Sequence, residues 1–161
     1  MRYRDMPSVE VSQRLSCTPE VAWTVVTDVT LPLSQSAELK SVEWIRGDAV
    51  ATGNRFLGHN ENAVRGSWTT ESVIDDVEPG ARWTWRVLNQ SGGTVALWGF
   101  EVEPTSDGCI VRQFARMGPD ESGLSDFIAK HPDSEARIVE GRLKQWAESM
   151  RANLERVSEL T

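Results

Sequence analysis

The sequence predicts an α+β fold in which a curved antiparallel sheet of about six to seven strands wraps around one long C-terminal helix. Three observations carry that expectation. Apolar and polar residues alternate along short runs between residues 39 and 117. Turn chemistry separates those runs by only a few residues, at Gly47-Asp48, Glu78-Pro79-Gly80 and Pro104 to Gly108, which makes successive strands antiparallel neighbours. Past residue 134 the period becomes helical, with Val139, Leu143, Trp146, Met150, Leu154 and Val157 stepping by 4, 3, 4, 4 and 3.

Taken in order, residues 1–7 read as a tail. Val9, Val11 and, after a shift in phase, Leu15 suggest a first strand at about residues 8–16. Thr18-Pro19-Glu20 opens a helix, with Thr18 as N-cap and Pro19 at the first helical position. Leu31-Pro32-Leu33 breaks that helix into a second short turn. Six strands follow, at about 39–46, 53–60, 66–77, 81–88, 94–103 and 109–117. Trp83, Trp85 and Val87 share one face, opposite Arg82, Thr84 and Arg86, and Trp98, Phe100 and Val102 stand opposite Gly99, Glu101 and Glu103. Residues 118–134 read as a loop with one helical turn near Leu124–Ala129. Asp133 or Ser134 caps the last helix, 135–158, which at about 1.5 Å per residue is about 35 Å long and able to cross a whole sheet. With no internal repeat or long linker, 1–161 reads as one domain.

Composition narrows the function. A net charge of −7 argues against a nucleic-acid surface, which needs clustered positive charge, and against docking on anionic membranes. No run approaches a membrane span, so no stable insertion is expected. Residues 1–10 lack the apolar stretch of a signal peptide, and the two cysteines, Cys17 and Cys109, are distant and outside any CxxC, which fits buried thiols in a reducing cytoplasm. Seven tryptophans accompany a single tyrosine, so large rings either fill a core or line a cavity.

Chemistry-bearing motifs are sparse. There is no nucleophile elbow, phosphate loop, dinucleotide fingerprint or HExxH, and Cys17, His59, Cys109 and His131 lack metal-site spacing, so neither metal nor cofactor is expected. His59 lies between Gly58 and Asn60 and faces solvent if Phe56, Gly58 and Asn60 face inward. Asp75-Asp76 reads as a solvated strand end, since strand neighbours point to opposite faces. The polar residues on inward phases are Asn60, Thr70, Gln113 and Arg116. Gly141, inside the last helix, costs about 1 kcal/mol relative to Ala, which suggests either a close packing contact or room for a ligand.

Ser16-Cys17-Thr18-Pro19-Glu20-Val21-Ala22-Trp23, Gly53-Asn54-Arg55-Phe56-Leu57-Gly58-His59-Asn60, and Ser67-Trp68-Thr69-Thr70 followed by Val77-Glu78-Pro79-Gly80 stand in a familiar order. Together with the layout over about residues 8–158, they resemble the START-like (SRPBCC, helix-grip, Bet v 1-like) superfamily in its polyketide cyclase/dehydrase branch. That resemblance implies a cavity between the concave sheet face and the long helix, lined here by Trp44, Phe56, Asn60, Trp68, Thr70, Trp83, Trp85, Trp98, Phe100, Gln113, Gly141, Trp146 and Met150. It implies binding or carriage of a small hydrophobic molecule, lipid-, sterol- or polyketide-like, as the leading function. The alternative is an aromatase/cyclase or dehydratase in which a buried arginine and polar neighbours position a poly-β-ketone, and Arg55, Arg65, Arg112 and Arg116 are the arginines to consider. A monomer or a homodimer paired through an edge strand would serve either function.

Overall fold

A computed structural model describes residues 1–161. Seven antiparallel strands, β1 (Ser8–Leu15), β2 (Leu39–Arg46), β3 (Arg55–Asn62), β4 (Gly66–Glu78), β5 (Arg82–Leu88), β6 (Thr94–Thr105) and β7 (Gly108–Met117), form one sheet in the order β1-β7-β6-β5-β4-β3-β2. The meander β2 to β7 is the expected one, and β1 closes onto its far end. Three helices accompany it: α1 (Pro19–Val26), α2 (Gly123–Lys130) and α3 (Glu135–Leu160). The 26 residues of α3 give about 39 Å of helix. α3 packs chiefly on β1 and β7, while α1 packs on β6 and β7. This is the helix-grip α+β arrangement.

Local chemistry explains the helix starts. The Thr18 side chain accepts from Val21 N–H at 3.3 Å, with Pro19 following at the first helical position. A capping box of Ser122 and Ser125 makes the expected single turn a two-turn helix, α2. α3 starts differently from the expectation. Ser134 stands at its N-cap but makes no side-chain capping bond, because a 3-10 turn over Pro132–Ser134 feeds directly into the helix. β6 also runs past its expected end, with Pro104 paired to Cys109 and Thr105 to Gly108 before the Ser106-Asp107 turn.

Two buried clusters meet under α3. The larger gathers Leu15, Ala22, Val26, Ile74, Trp83, Phe100, Val111, Leu154 and Val157, and the smaller joins Tyr3, Met117, Ile128, Val139 and Leu143. Trp83 is 2% exposed and its indole N–H donates to the Val26 carbonyl at 3.1 Å, tying α1 to the sheet. Residues 1–7 are no loose tail. Tyr3 is buried, its N–H donates to Glu135 at 3.0 Å, and its hydroxyl donates to the Asp120 carbonyl at 2.6 Å. The 118–134 segment, expected as a loop, is correspondingly pinned at its start: Asp120 accepts from Thr94 N–H at 2.7 Å and the Glu121 carbonyl accepts from Asn89 at 2.9 Å.

Two phase assignments change. β1 pairs with β7 without a slip from Ser8↔Arg116 to Leu15↔Cys109, so Val9, Val11 and Leu15 share one phase and Gln13 is the polar member between them. In β4 a bulge between Ile74 and Val77 breaks the alternation. It lets both acidic neighbours reach outer-face arginines, Asp75 to Arg86 at 3.1 Å and Asp76 to Arg82 at 3.6 Å.

Gly141 is exposed, and a Cβ built there meets nothing within 4 Å. It is neither a packing contact nor a cavity wall. Gly141→Ala is expected to stabilise the protein by about 0.5–1 kcal/mol through helix propensity. Leu154→Ala, at 1% exposure in the larger cluster, is expected to cost about 2–5 kcal/mol. Urea midpoints at unchanged m-value check both, and a destabilised Gly141→Ala would contradict the open surface at that position.

Candidate functional site: an uncharged aromatic trough

The registers determine which side chains share the inner face. Trp83↔Phe100, Trp85↔Trp98 and Val87↔Ala96 align β5 with β6, and Trp98↔Ala115, Phe100↔Gln113 and Val102↔Val111 align β6 with β7. On the other wing, Trp44↔Phe56, Phe56↔Ser72, Gly58↔Thr70 and Asn60↔Trp68 continue that face through β2, β3 and β4.

A continuous row of rings crosses this face. Trp83 and Trp85 stack with centroids 4.5 Å apart, Trp85 lies 6.2 Å from Trp98, and Trp98 reaches Trp146 of α3 at 4.9 Å. Trp44 meets Phe56 edge-on at 5.5 Å. Exposure divides the sequence-expected residues. Trp83, Phe100 and Met150 are buried filling, at 2%, 3% and 0%. Trp44, Phe56, Thr70, Trp85, Trp98 and Trp146 are half-buried. Because α3 stands on β1 and β7, it leaves the β2–β6 part of the inner face uncovered, and the half-buried rings lie along that strip, here termed the trough.

Asn60 and Trp68 sit apart from the central row. Asn60 bonds back to the Gly58 carbonyl at 3.3 Å, and the Arg65 guanidinium lies 4.3 Å over the Trp68 ring. Both border a hollow of about 430 Å³ at the sheet margin, shared with Lys40, His59 and Thr69. A second hollow, of about 390 Å³, lies beside Arg14, Asp107 and Thr161, also away from the rings. Gly58 is closed off, since a Cβ there would stand 2.9 Å from Thr70 Oγ1.

The central inner face carries no charge; at its margin the Arg65 guanidinium lies over Trp68. Its polar strand residues are Gln13, Asn60, Asn62, Thr70, Ser72 and Gln113, and the buried face of α3 adds Asn153. All four arginines considered from the sequence lie elsewhere. Arg55 pairs with Glu71 at 3.0 Å, Arg65 covers Trp68, and Arg116, expected inward, is exposed on the outer phase opposite Leu97. Arg112 joins Glu103 at 2.7 Å in an outer-face network with Glu10 and Glu101, and that hydrogen-bonded partner raises its pKa further. His59 faces outward, with Nε2 3.1 Å from Glu43. No group of three or more His, Cys, Asp or Glu side chains is placed to hold a metal ion.

Sequence reasoning missed three polar groups. Asn153 falls on the α3 stripe, three residues after Met150 and four before Val157, and its spacing was the available signal. Ser72 shares the phase of Trp68 and Thr70 and is 4% exposed. Gln35 sits beyond the Leu31–Ser34 turn, where nothing local announces its reach to α3.

A family model described as polyketide cyclase/dehydrase and lipid transport matches residues 6–156. The chain belongs to that family. No curated protein matches it. Among solved structures, the Polyketide_cyc-like protein of Corynebacterium glutamicum is 23% identical with a TM-score of 0.63, over 91% of this chain and 88% of the other. The di-domain ARO/CYC protein StfQ from the steffimycin biosynthetic pathway superposes with a TM-score of 0.73 at 14% identity, over 98% of this chain and 52% of StfQ. Its counterpart BexL, from the BE-7585A pathway, gives 0.71 at 15% identity, over 96% and 49%. At these identities the structural likeness establishes the family's fold and not its chemistry.

The cysteines, distant in sequence, are brought together. Cys17 Sγ lies 4.0 Å from Cys109 Sγ, and both are free thiols. Burial, reinforced by the neighbouring Cys17, pushes the Cys109 thiol up to about 11 from an ordinary 9.0. The fold therefore favours the protonated form. Its contribution to stability is complete below about pH 9 and is lost as the pH rises through about 11. The urea midpoint is expected to fall across that window and to fall less in Cys109→Ala. A slope unaffected by the substitution would assign the alkaline loss to another group.

Proposed function

We propose that the protein binds a small, neutral, largely apolar molecule against the half-buried rings of the trough, and holds or carries it without transforming it. The observation that supports this reading best is the coincidence of accessible aromatic area with a central inner face free of charge. Trp85, Trp98 and Trp146 each keep part of their surface accessible, although they stand inside a concave sheet and beside a helix. Covering those rings with an apolar ligand yields roughly 25 cal/mol for each Å² removed from water. A carboxylate in the same place would lose its hydration and meet no counter-charge, so fatty acids are disfavoured as occupants.

The family description includes polyketide cyclase and dehydrase, so turnover in the same trough is the second reading. General acid–base catalysis needs a titratable group within hydrogen-bond reach of the reacting atoms. Inside the margin where Arg65 covers Trp68, the inner face offers hydroxyls and amides at Thr70, Ser72, Asn60 and Gln113, but no carboxylate, imidazole or guanidinium. Of the three groups with displaced pKa values, Arg112 belongs to the outer face, Tyr3 to the N-terminal contact and Cys109 to the larger core cluster. This favours binding over proton-transfer chemistry.

Titration with a neutral polycyclic molecule is expected to quench tryptophan emission saturably, with a Kd in the micromolar range. Trp98→Ala, which removes the ring between Trp85 and Trp146, is expected to weaken binding by about fivefold, the equivalent of about 1 kcal/mol of aromatic contact. A fatty acid of similar size should bind at least tenfold more weakly. Unchanged affinity in Trp98→Ala would place the ligand elsewhere, and product formation from a poly-β-ketone would establish the second reading.

A further inference from the structure

Three side-chain amides run in series from the Leu31–Ser34 turn through α3 to the inner face of β7, beside the trough. Gln35 Nε2 lies 3.3 Å from the Leu31 carbonyl and 2.8 Å from Asn153 Oδ1. Asn153 Nδ2 lies 3.1 Å from Gln113 Oε1. Gln113 and Asn153 are 3% and 4% exposed.

An amide can be turned end for end, so the direction of such a series needs an external reference. Here a backbone supplies it. The Leu31 carbonyl only accepts, so the atom of Gln35 facing it must be the NH2 group. The same NH2 faces Asn153, which must present its oxygen. Asn153 then turns its own NH2 to Gln113, which must present oxygen in turn. The Ser34 hydroxyl donating to Gln35 Oε1 agrees with this polarity. The series therefore ends with the Gln113 NH2 group directed away from Asn153. Gln113 Nε2 has no partner within the protein, and no fully buried side-chain nitrogen or oxygen lacks one, so this nitrogen keeps a trace of accessible surface. Its side chain stands on the inner face between Phe100 and Val11.

We infer that Gln113 is the specificity-determining donor of the trough, oriented by the Leu31 carbonyl through Gln35 and Asn153, and that the ligand carries a neutral hydrogen-bond acceptor, a ketone, quinone or ester carbonyl, on an otherwise apolar frame. This rests on the trough being the binding site. A nearly buried NH2 with no partner favours a ligand that satisfies it and discriminates against an isostere that leaves it unmet. Because the donor is uncharged and its direction fixed, it selects a carbonyl over both a hydrocarbon and a carboxylate.

The test compares 9-fluorenone with fluorene, two rigid molecules of nearly the same shape that differ by one carbonyl. The wild type is expected to bind fluorenone about 3–10-fold more tightly, the range of one net hydrogen bond. In Gln113→Leu the ratio is expected to fall to about one while fluorene still binds. Asn153→Leu removes the group that sets the direction of Gln113, and the preference for fluorenone is expected to fall while fluorene still binds. Should the variants fail to fold, the assigned Gln113 side-chain NH2 resonances of the wild type decide. They are expected to move downfield with fluorenone and little with fluorene. Equal wild-type affinities, or Gln113 resonances indifferent to the carbonyl, overturn the role of Gln113 and leave the trough as a binding site. Binding of neither molecule overturns the trough reading and this inference with it.

Discussion

The unbroken ladder between β6 and β7 is the constraint on which the rest of the molecule depends. It runs from Ala96↔Met117 to Thr105↔Gly108 without a slip. A slip of one residue would exchange the two faces of every side chain along both strands. With the register fixed, Trp98, Phe100 and Val102 point inward together with Val111, Gln113 and Ala115. Arg112 and Glu101 point outward into one ionic network. The outer face reinforces the same choice. Phe114 lies across Gly99, where a Cβ would stand 2.4 Å from its ring, and the Arg82 guanidinium sits 5.1 Å over that ring. Gly99 is therefore required for the close approach that lets an aromatic ring cover the polar side of the sheet.

The position of α3 follows from the two ends of the sheet. β1 returns to pair with β7, and the helix rests on that pair and not on the centre. Two buried clusters, one near α1 and one near α2, hold the helix along its length. Between the helix and the β2–β3 wing, the rings have neighbours on some sides only. The aromatic row thus links the two clusters while keeping accessible area. That combination is costly for a protein with nothing to bind, since exposed apolar area inside a concavity gains neither full burial nor full hydration.

Much of this was legible in the sequence because it rests on period. Strand alternation places Trp83, Trp85, Trp98 and Phe100 on one face, and the helical stripe places Trp146 and Met150 opposite them. Features that break period were not legible. The β4 bulge turns Asp75 and Asp76 to the same outer face. Gln13 hides an unbroken phase in β1 by being polar where its neighbours are apolar. Asn153 interrupts the apolar stripe as a buried polar residue and so reads as an exposed one. Gly141 has the opposite history. A costly residue in a helix suggests a tight contact, yet its position is open and nothing in the structure explains it. Pairings that depend on the closure of the whole sheet, such as Cys17 with Cys109, have no local signal at all.

The buried amide series shows why an uncharged interior still carries information. Replacing Gln113, Asn153 and Gln35 with apolar residues could preserve packing and even raise stability, since buried polar groups contribute little net free energy when satisfied. What such a replacement would erase is direction. A hydrocarbon wall accepts any apolar molecule of suitable shape. A fixed NH2 at the end of a series oriented by a backbone carbonyl accepts one only when an acceptor stands at the right place. The series also ties three separate parts of the chain together, the Leu31–Ser34 turn, α3 and β7, so the donor's orientation depends on the same closure that creates the trough. Specificity and fold are in this way set by one arrangement. A shift of α3 that opened the trough would also release Asn153 from Gln113 and leave the donor without its direction.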